Sequence, residues 1–533
     1  MANKQAQKVI DTQLADLELR CLDLSMQMRI QELKLRRNTY APVSKIPDEV
    51  LLEIFVLNKT IFPEDESFWR VSHVCRRWRY VAVEAPTLWT KPPLLFHAFT
   101  MFMLERSRSA DLTIWMEYGT AYKIIKGVLD CIGRIEKLEI SLEMDLLYSA
   151  HELMATSDQQ ASRLRSFMLH SLSDVPWDSR PMFALPTFCQ LHLLRELDIT
   201  NVIFDWNVLP LPNLLALSFI DVSLPTRVSM QQFLDTLCKM PHLESLRMPI
   251  SQSLFPLPPS TKATNVAAQV TLPRLSHLHL SDSNSAHVQW FLSRLTLPRL
   301  QRMLITPPRT ANDNASGDSS QIVHAIASSI TGGGFGTFDN LDLYNTFFQL
   351  NVFDQRNINR VDSDDKLPHV HFNIPEDHNA GRLFAQTSVD ILLLCRPNLS
   401  CLVELKIEEL STTVDQLFRL STVLCSVRKI EIFRSPETAL ALIGTLAMLP
   451  PHRSPGASNQ SIPFPKLKLI QFSVIDFAGI PEIIGALCDC LMLRYEYGFA
   501  IQKLDLFECW IFTGQFARLK EIVANVKYRE TIR

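Results

Sequence analysis

Neither sign of charge is in marked excess along this 533-residue chain, in which 53 lysines and arginines stand against 56 aspartates and glutamates, a net charge of −3. No global field therefore draws it toward nucleic acid or an anionic membrane, and proteins are the expected partners. The 11 cysteines include no CxxC pair, and the closest two are Cys488 and Cys490. An odd, scattered set argues against a disulfide framework and fits a reducing compartment, cytoplasmic or nuclear. Long hydrophobic runs are missing as well. The most apolar stretch, PPLLFHAFTMFML at 92–104, is interrupted by His97 and Thr100 and falls short of the ~20 residues that span a bilayer. No transmembrane helix is expected. The opening MANKQAQKVIDTQLADLELR alternates charged and apolar residues, so secretion is not expected, and the sequons at Asn58 and Asn314 carry no message.

Patterns of catalytic or cofactor chemistry are absent too. TGGGFGTF at 331–338 has neither the GK[ST] ending of a phosphate loop nor the spacing of a dinucleotide turn, and reads as a loop between structural units. His369 and His371 in HVHF share one face of a strand, but with His378 they make no ligand set of metal-binding spacing. Cys488 and Cys490 lie in an apolar helix, where a thiol acts as a small hydrophobe. No HExxH sequence and no Ser, His and Asp set is found. The chain is expected to have no catalytic residue, no metal and no cofactor, and not to be an enzyme.

What is present begins with a hydrophobic content of 47%, enough for a large core and more than one structural unit. Residues 5–37 read as one amphipathic helix with Ile10, Leu14, Leu17, Cys21, Leu24 and Met28 along a single seam, short for a coiled coil; it either packs back on the chain or self-associates. NTYAPVSK at 38–45 reads as a linker. Next comes IPDEVLLEIF at 46–55, where Pro47 suits a first helical turn, Asp48 and Glu49 complement the helix dipole, and Val50, Leu51, Ile54 and Phe55 form one wide apolar stripe. After the acidic stretch 58–67, a second helical pattern through Val71, Val74, Cys75, Trp78, Val81, Ala82 and Ala85 ends at Pro86 and PTLWT. Arg76, Arg77 and Arg79 read as a solvated rim rather than a nucleic-acid contact. The unit spans under fifty residues, so its apolar surface exceeds what it can hide alone.

Pro47 with EVLLEIF, the spacing to VCRRWR, and PTLW after it resemble an F-box, in the F-box-like form common in basidiomycete fungi. The resemblance implies a three-helix domain that docks on a Skp-type adaptor, which in turn holds a cullin and RING ubiquitin ligase. It also implies an adaptor face at Pro47, Leu51, Leu52, Phe55, Val74, Cys75 and Trp78.

The remainder repeats. An LxxLxL template recurs from Ile135/Leu138/Ile140 and Leu164/Phe167/Leu169 to Leu467/Ile470/Phe472 and Ile501/Leu504/Leu506, at spacings near the leucine-rich range apart from one long gap before Leu402. Segments between copies, such as MQQFLDTLCKM and TALALIGTLAML, have helical apolar spacing. Repeated strand and helix make a leucine-rich solenoid. The residue between the last two apolar positions of each copy should line a concave face. Asp198, Arg247, His279, Lys406, Glu431, Gln471 and Asp505 are the candidate substrate-facing residues, in a set where acids outnumber bases and would repel phosphate.

The expected architecture is α/β: an N-terminal amphipathic helix over 1–40, a small all-α F-box-like domain over 41–92, and a leucine-rich-repeat solenoid over 93–533, with loop insertions near 307–320 and 450–465. The expected function is substrate recognition for a Skp-cullin-F-box ubiquitin ligase. The alternative is a leucine-rich-repeat scaffold in a Skp-containing complex without ubiquitin transfer.

Overall fold

The computed structural model describes all residues except 1, 20–23, 62–68, 173–179, 181, 183–184, 186–188, 251–253, 257–268, 282–284, 307–318, 345–346, 352–369, 374–379, 450–461 and 530–533. Two compact units are formed, Met1–Leu194 and Arg195–Arg533.

The first unit opens with two helices, α1 (Ala2–Leu19) and α2 (Leu24–Thr39), where the sequence reads as one. They close on each other through Ile10, Leu14, Ile30 and Leu33, with Tyr40 packed alongside and Arg37 paired to Asp11. Met28, expected on the buried seam, is exposed. A hairpin hides the stripe locally, which one straight helix could not do without a partner.

α3 (Asp48–Ile61) follows, then α4 (Val71–Val74) and α5 (Arg76–Val83). The second helical pattern is thus not continuous. Cys75 is extended, at φ −159° and ψ 171°, and its Sγ accepts the backbone N–H of Trp78 as the cap of α5. Most of the acidic insert, residues 62–68, lies outside the described residues. Leu51 and Phe55 of α3 pack with Val81, Ala82, Ala85, Leu88 and Trp89. Trp89 sits in a short 3-10 helix, Pro86–Trp89, and its indole N–H donates to the Ala82 carbonyl at 2.8 Å. This core does not stop at residue 92. α6 (His97–Arg106) adds the buried Met103, and Trp89 meets Phe102 edge-on at 5.5 Å while Trp69 meets Phe99 at 5.1 Å.

Three parallel strands complete the unit: β1 (Leu112–Met116), β2 (Ile135–Leu142) and β3 (Ser166–Ser171). Their apolar residues alternate inward, as Leu138 and Ile140 show, and helices such as Tyr122–Leu129 bury Ile124, Ile125 and Val128 between strands.

The second unit is a longer run of the same design. Its strands are β4 (Glu196–Thr200), β5 (Ala216–Ile220), β6 (Ser245–Pro249), β7 (Val270–Thr271), β8 (His277–Ser281), β9 (Leu295–Thr296), β10 (Arg302–Ile305), β11 (Asn340–Tyr344), β12 (Phe347–Asn351), β13 (Val370–Asn373), β14 (Glu404–Glu408), β15 (Lys429–Phe433), β16 (Leu469–Ser473), β17 (Lys503–Phe507) and β18 (Asn525–Arg529). β7 and β9 pair only with each other. The others run in the order β4-β5-β6-β8-β10-β13-β12-β11-β14-β15-β16-β17-β18. Pairing is parallel except at β12, which runs antiparallel to both β11 and β13. That inserted hairpin occupies the long gap in the LxxLxL pattern.

Every apolar residue of the sequence template is buried, from Leu197 and Ile199 on β4 to Leu504 and Leu506 on β17. Helices between strands carry matching apolar faces. Met230–Cys238 starts with a capping box between Ser229 and Gln232 and buries Phe233, Leu234 and Leu237; Val414–Val423 repeats the device with Thr413 and Gln416. This is a leucine-rich-repeat type of solenoid. Of the two expected insertions, 307–318 and 450–461 lie outside the described residues. The downstream end of the second is fixed: Arg494, fully buried, donates to the carbonyls of Pro463 at 3.0 Å and Phe464 at 3.1 Å. Among the described residues no helix is long and apolar enough to cross a membrane.

Candidate functional site

Two surfaces stand out, one on the small helical domain and one on the sheet. In the domain, the wide apolar stripe of α3 divides. Leu51 and Phe55 are 1% and 3% exposed, whereas Val50, Ile54, Leu57 and Ile61 are 43%, 43%, 57% and 64% exposed. Positions 50, 54, 57 and 61 follow the three-and-four step of a helix, so they lie on one side of it. The residues expected on the adaptor face are placed differently from one another. Leu51 and Phe55 fill the domain's own core, where Phe55 meets Trp78 at a ring separation of 5.1 Å. Leu52, Cys75 and Trp78 are half-buried, and only Pro47 and Val74 are exposed.

Arg77 departs from the solvated rim as well. Its guanidinium donates to Asp48 Oδ1 at 2.8 Å, to the Ser44 carbonyl at 2.9 Å and to the Ile46 carbonyl, tying α5 to the start of α3. Arg79 donates to the Ser72 carbonyl at 2.9 Å. Lys59, near the other end of α3, donates to the Leu88 carbonyl at 2.8 Å, and burial, followed by the charge of Lys91, lowers its pKa to about 8. No alternation or motif marks these polar ties in the sequence.

On the sheet, parallel register gathers residues that are far apart in the chain. Asp198, Ser218, Arg247, His279 and Leu304 are successive partners from β4 to β10. The row continues through His371, Gln349, Asp342, Lys406, Glu431, Gln471, Asp505 and Lys527 to β18. All seven residues expected on the substrate face are in this row, on the side away from the buried apolar residues. His371, Gln349 and Lys527 join it without any template to announce them. His371 bonds Gln349 at 3.0 Å, and among the described residues it takes part in no group able to hold a metal; His369 and His378 lie outside them. Burial, then Arg247 and His371, lower the pKa of His279 to about 4.

A second row runs beside the first: Tyr344, Glu408, Phe433, Ser473 and Phe507. Tyr344 and Phe347 stack at 4.0 Å. The Lys406 ammonium lies 5.6 Å from the Tyr344 ring and 5.8 Å from the Phe433 ring, and bonds Glu408 at 2.7 Å.

The remaining sequence candidates are structural. Gly336 takes φ +69°, and its carbonyl accepts from the buried Asn398 side chain at 2.6 Å, steering the glycine-rich loop into β11. Cys488 and Cys490 are buried; burial raises both thiols, Cys490 to about 11, which keeps them protonated and unreactive.

Residues 43–93 match the F-box-like family. No curated protein matches the chain. A solved leucine-rich-repeat protein of Leptospira interrogans is similar at 15% identity over 79% of this chain and 97% of its own, with a TM-score of 0.27. At that score the likeness adds nothing to the fold, which rests on strand register and repeating burial, and neither likeness supports a basidiomycete lineage. Residues 43–93 are an F-box-like domain, followed in the same chain by a long, mostly parallel sheet of leucine-rich-repeat type.

Proposed function

We propose that this chain is the substrate-recognition subunit of a Skp-cullin-F-box type ubiquitin ligase, acting in the cytoplasm or nucleus. The F-box-like domain docks a Skp-type adaptor, the residue row of the sheet holds a protein substrate, and ubiquitin transfer belongs to other subunits. The carrying observation is the exposed stripe of Val50, Ile54, Leu57 and Ile61 on a domain whose opposite stripe already fills a core. Apolar side chains repeated along one side of a short helix mark a surface to be covered. Val74 is assigned to the same docking role, with Pro47, Leu52, Cys75 and Trp78 supporting it, while Leu51 and Phe55 act only by holding α3 in place.

Co-purification of the full chain with a Skp-type adaptor and a cullin tests the reading. Ile54→Asp combined with Leu57→Asp should abolish capture of both while the thermal melt of the chain is unchanged. Capture of the adaptor without any cullin would instead make the protein a scaffold. Undiminished adaptor capture by the double variant would remove the stripe from the interface.

A further inference from the structure

The block formed by β11, β14, β15, β16 and β17 carries five acids on the substrate-facing side, Asp342, Glu404, Glu408, Glu431 and Asp505, against three lysines, Lys406, Lys429 and Lys503. Each lysine is already engaged: Lys406 with Glu408, Lys429 with Glu404 and with Glu431 at 3.2 Å, and Lys503 with Asp505. Asp342 is left over. Among the described residues its half-buried carboxylate makes no hydrogen bond or salt bridge; burial raises its pKa, and only the more distant charge of Lys406, opposite it in register, acts to lower it. Beside it on one strand is Tyr344, stacked on Phe347, and two strands away in the same register lies Phe433. The rings already attract a cation, since the Lys406 ammonium lies within 6 Å of both Tyr344 and Phe433.

We infer that this block recognises an extended protein segment through an arginine side chain, whose guanidinium pairs with Asp342 and lies against the Tyr344 and Phe347 rings. Arginine suits the site better than lysine because its planar fork can bond a carboxylate in two places and stack on an aromatic face, while an ammonium is a compact, strongly hydrated charge. The two negative charges in excess favour a basic segment, and the aromatic row beside them favours apolar or aromatic residues next to the arginine. This rests on the reading that the sheet face holds the substrate, and gives that substrate a chemistry.

The test uses the full chain and three labelled, acetylated hexapeptides, (Arg-Phe)3, (Lys-Phe)3 and (Glu-Phe)3, with binding read by fluorescence anisotropy. The arginine peptide should bind best and the glutamate peptide least. Asp342→Asn should weaken arginine-peptide binding by roughly tenfold, whereas Lys406→Met, which removes a competing cation, should tighten it. An unchanged melt of Asp342→Asn shows that the fold is intact. Equal binding of the arginine and glutamate peptides, or indifference to Asp342→Asn, overturns the inference. In the second case Arg247→Glu, on the same row but distant from the block, separates the two readings. If it alters peptide binding, the sheet face still recognises protein and only the arginine chemistry fails; if it does not, both fail.

Discussion

The F-box-like domain and the β11–β17 block present surfaces of opposite kinds. On α3 the exposed groups are aliphatic side chains that no described residue covers. On the sheet the exposed groups are charges, and four of the block's five carboxylates are held by lysines of the same surface. A surface of the first kind gains free energy from any partner that removes apolar area from water, at roughly 25 cal/mol per Å². One of the second kind gains little from burial alone, because each ion pair must be matched or broken, and it therefore selects its partner by charge and geometry. The first suits a constant partner. The second suits a choosy one.

The largest effect expected from breaking this comparison lies beneath the sheet. Leu278 is buried and His279, its neighbour on β8, faces the row. Leu278→Asp should destabilise the chain by about 4 kcal/mol or more, because it buries a carboxylate without a partner. His279→Asp should cost clearly less, because position 279 lies half-buried on the row rather than in the core. Denaturant melts of the two variants check this, and equal costs would remove the assignment of faces.

On the domain, the comparison sharpens between a core position and an exposed one. Phe55→Ala empties a core position and should cost about 3–5 kcal/mol of folding stability. Val74→Ala, at an exposed position, should leave the melt unchanged and weaken adaptor capture, by about 2 kcal/mol if it sits at the centre of the interface. Melting curves and adaptor titrations on both single variants separate the roles. A Phe55→Ala protein with a wild-type melt and lost capture would return Phe55 to the surface.

The last expected effect, seen only on acidification, is a pH dependence on the sheet. The pKa of His279 is lowered in the fold from 6.5 to about 4, so the neutral ring is favoured there. The associated stability is present above pH 6.5 and is lost as the pH falls toward 4, by on the order of 3 kcal/mol at most. His279→Gln should flatten that part of the stability profile. An identical acid profile in the variant would assign the loss to other groups.

Much of this fold is legible in the sequence because the repeat encodes its faces twice, once in the LxxLxL strand and again in the helix after it. The alternation within the strand alone therefore assigns Leu278 and His279 to opposite sides. The hairpin of β12 and β13 is not legible, since FFQLN and VHFN follow no repeat and their antiparallel pairing brings His371 and Gln349 into the row only in three dimensions. The division of α3 is hidden for a different reason. Val50, Leu51, Ile54 and Phe55 form one stripe wider than a single contact, and composition does not say which half goes inward. The hairpin of α1 and α2 escapes the pattern because neither Gly nor Pro marks a turn between Leu14 and Ile30, and an even apolar spacing serves a folded-back pair as well as a straight helix.

The packing of Trp89 against Phe102 and of Trp69 against Phe99 has a consequence for transplantation. A cut at residue 92 would separate those rings and strip Met103 from the core, so a graft of residues 41–92 onto another repeat protein would carry an open wound of exposed indole. Moved with α6, through Arg106, the segment takes its own lid along. Shuffling of such a module between proteins, in the laboratory or over evolutionary time, therefore has its natural seam after α6 rather than after PTLW.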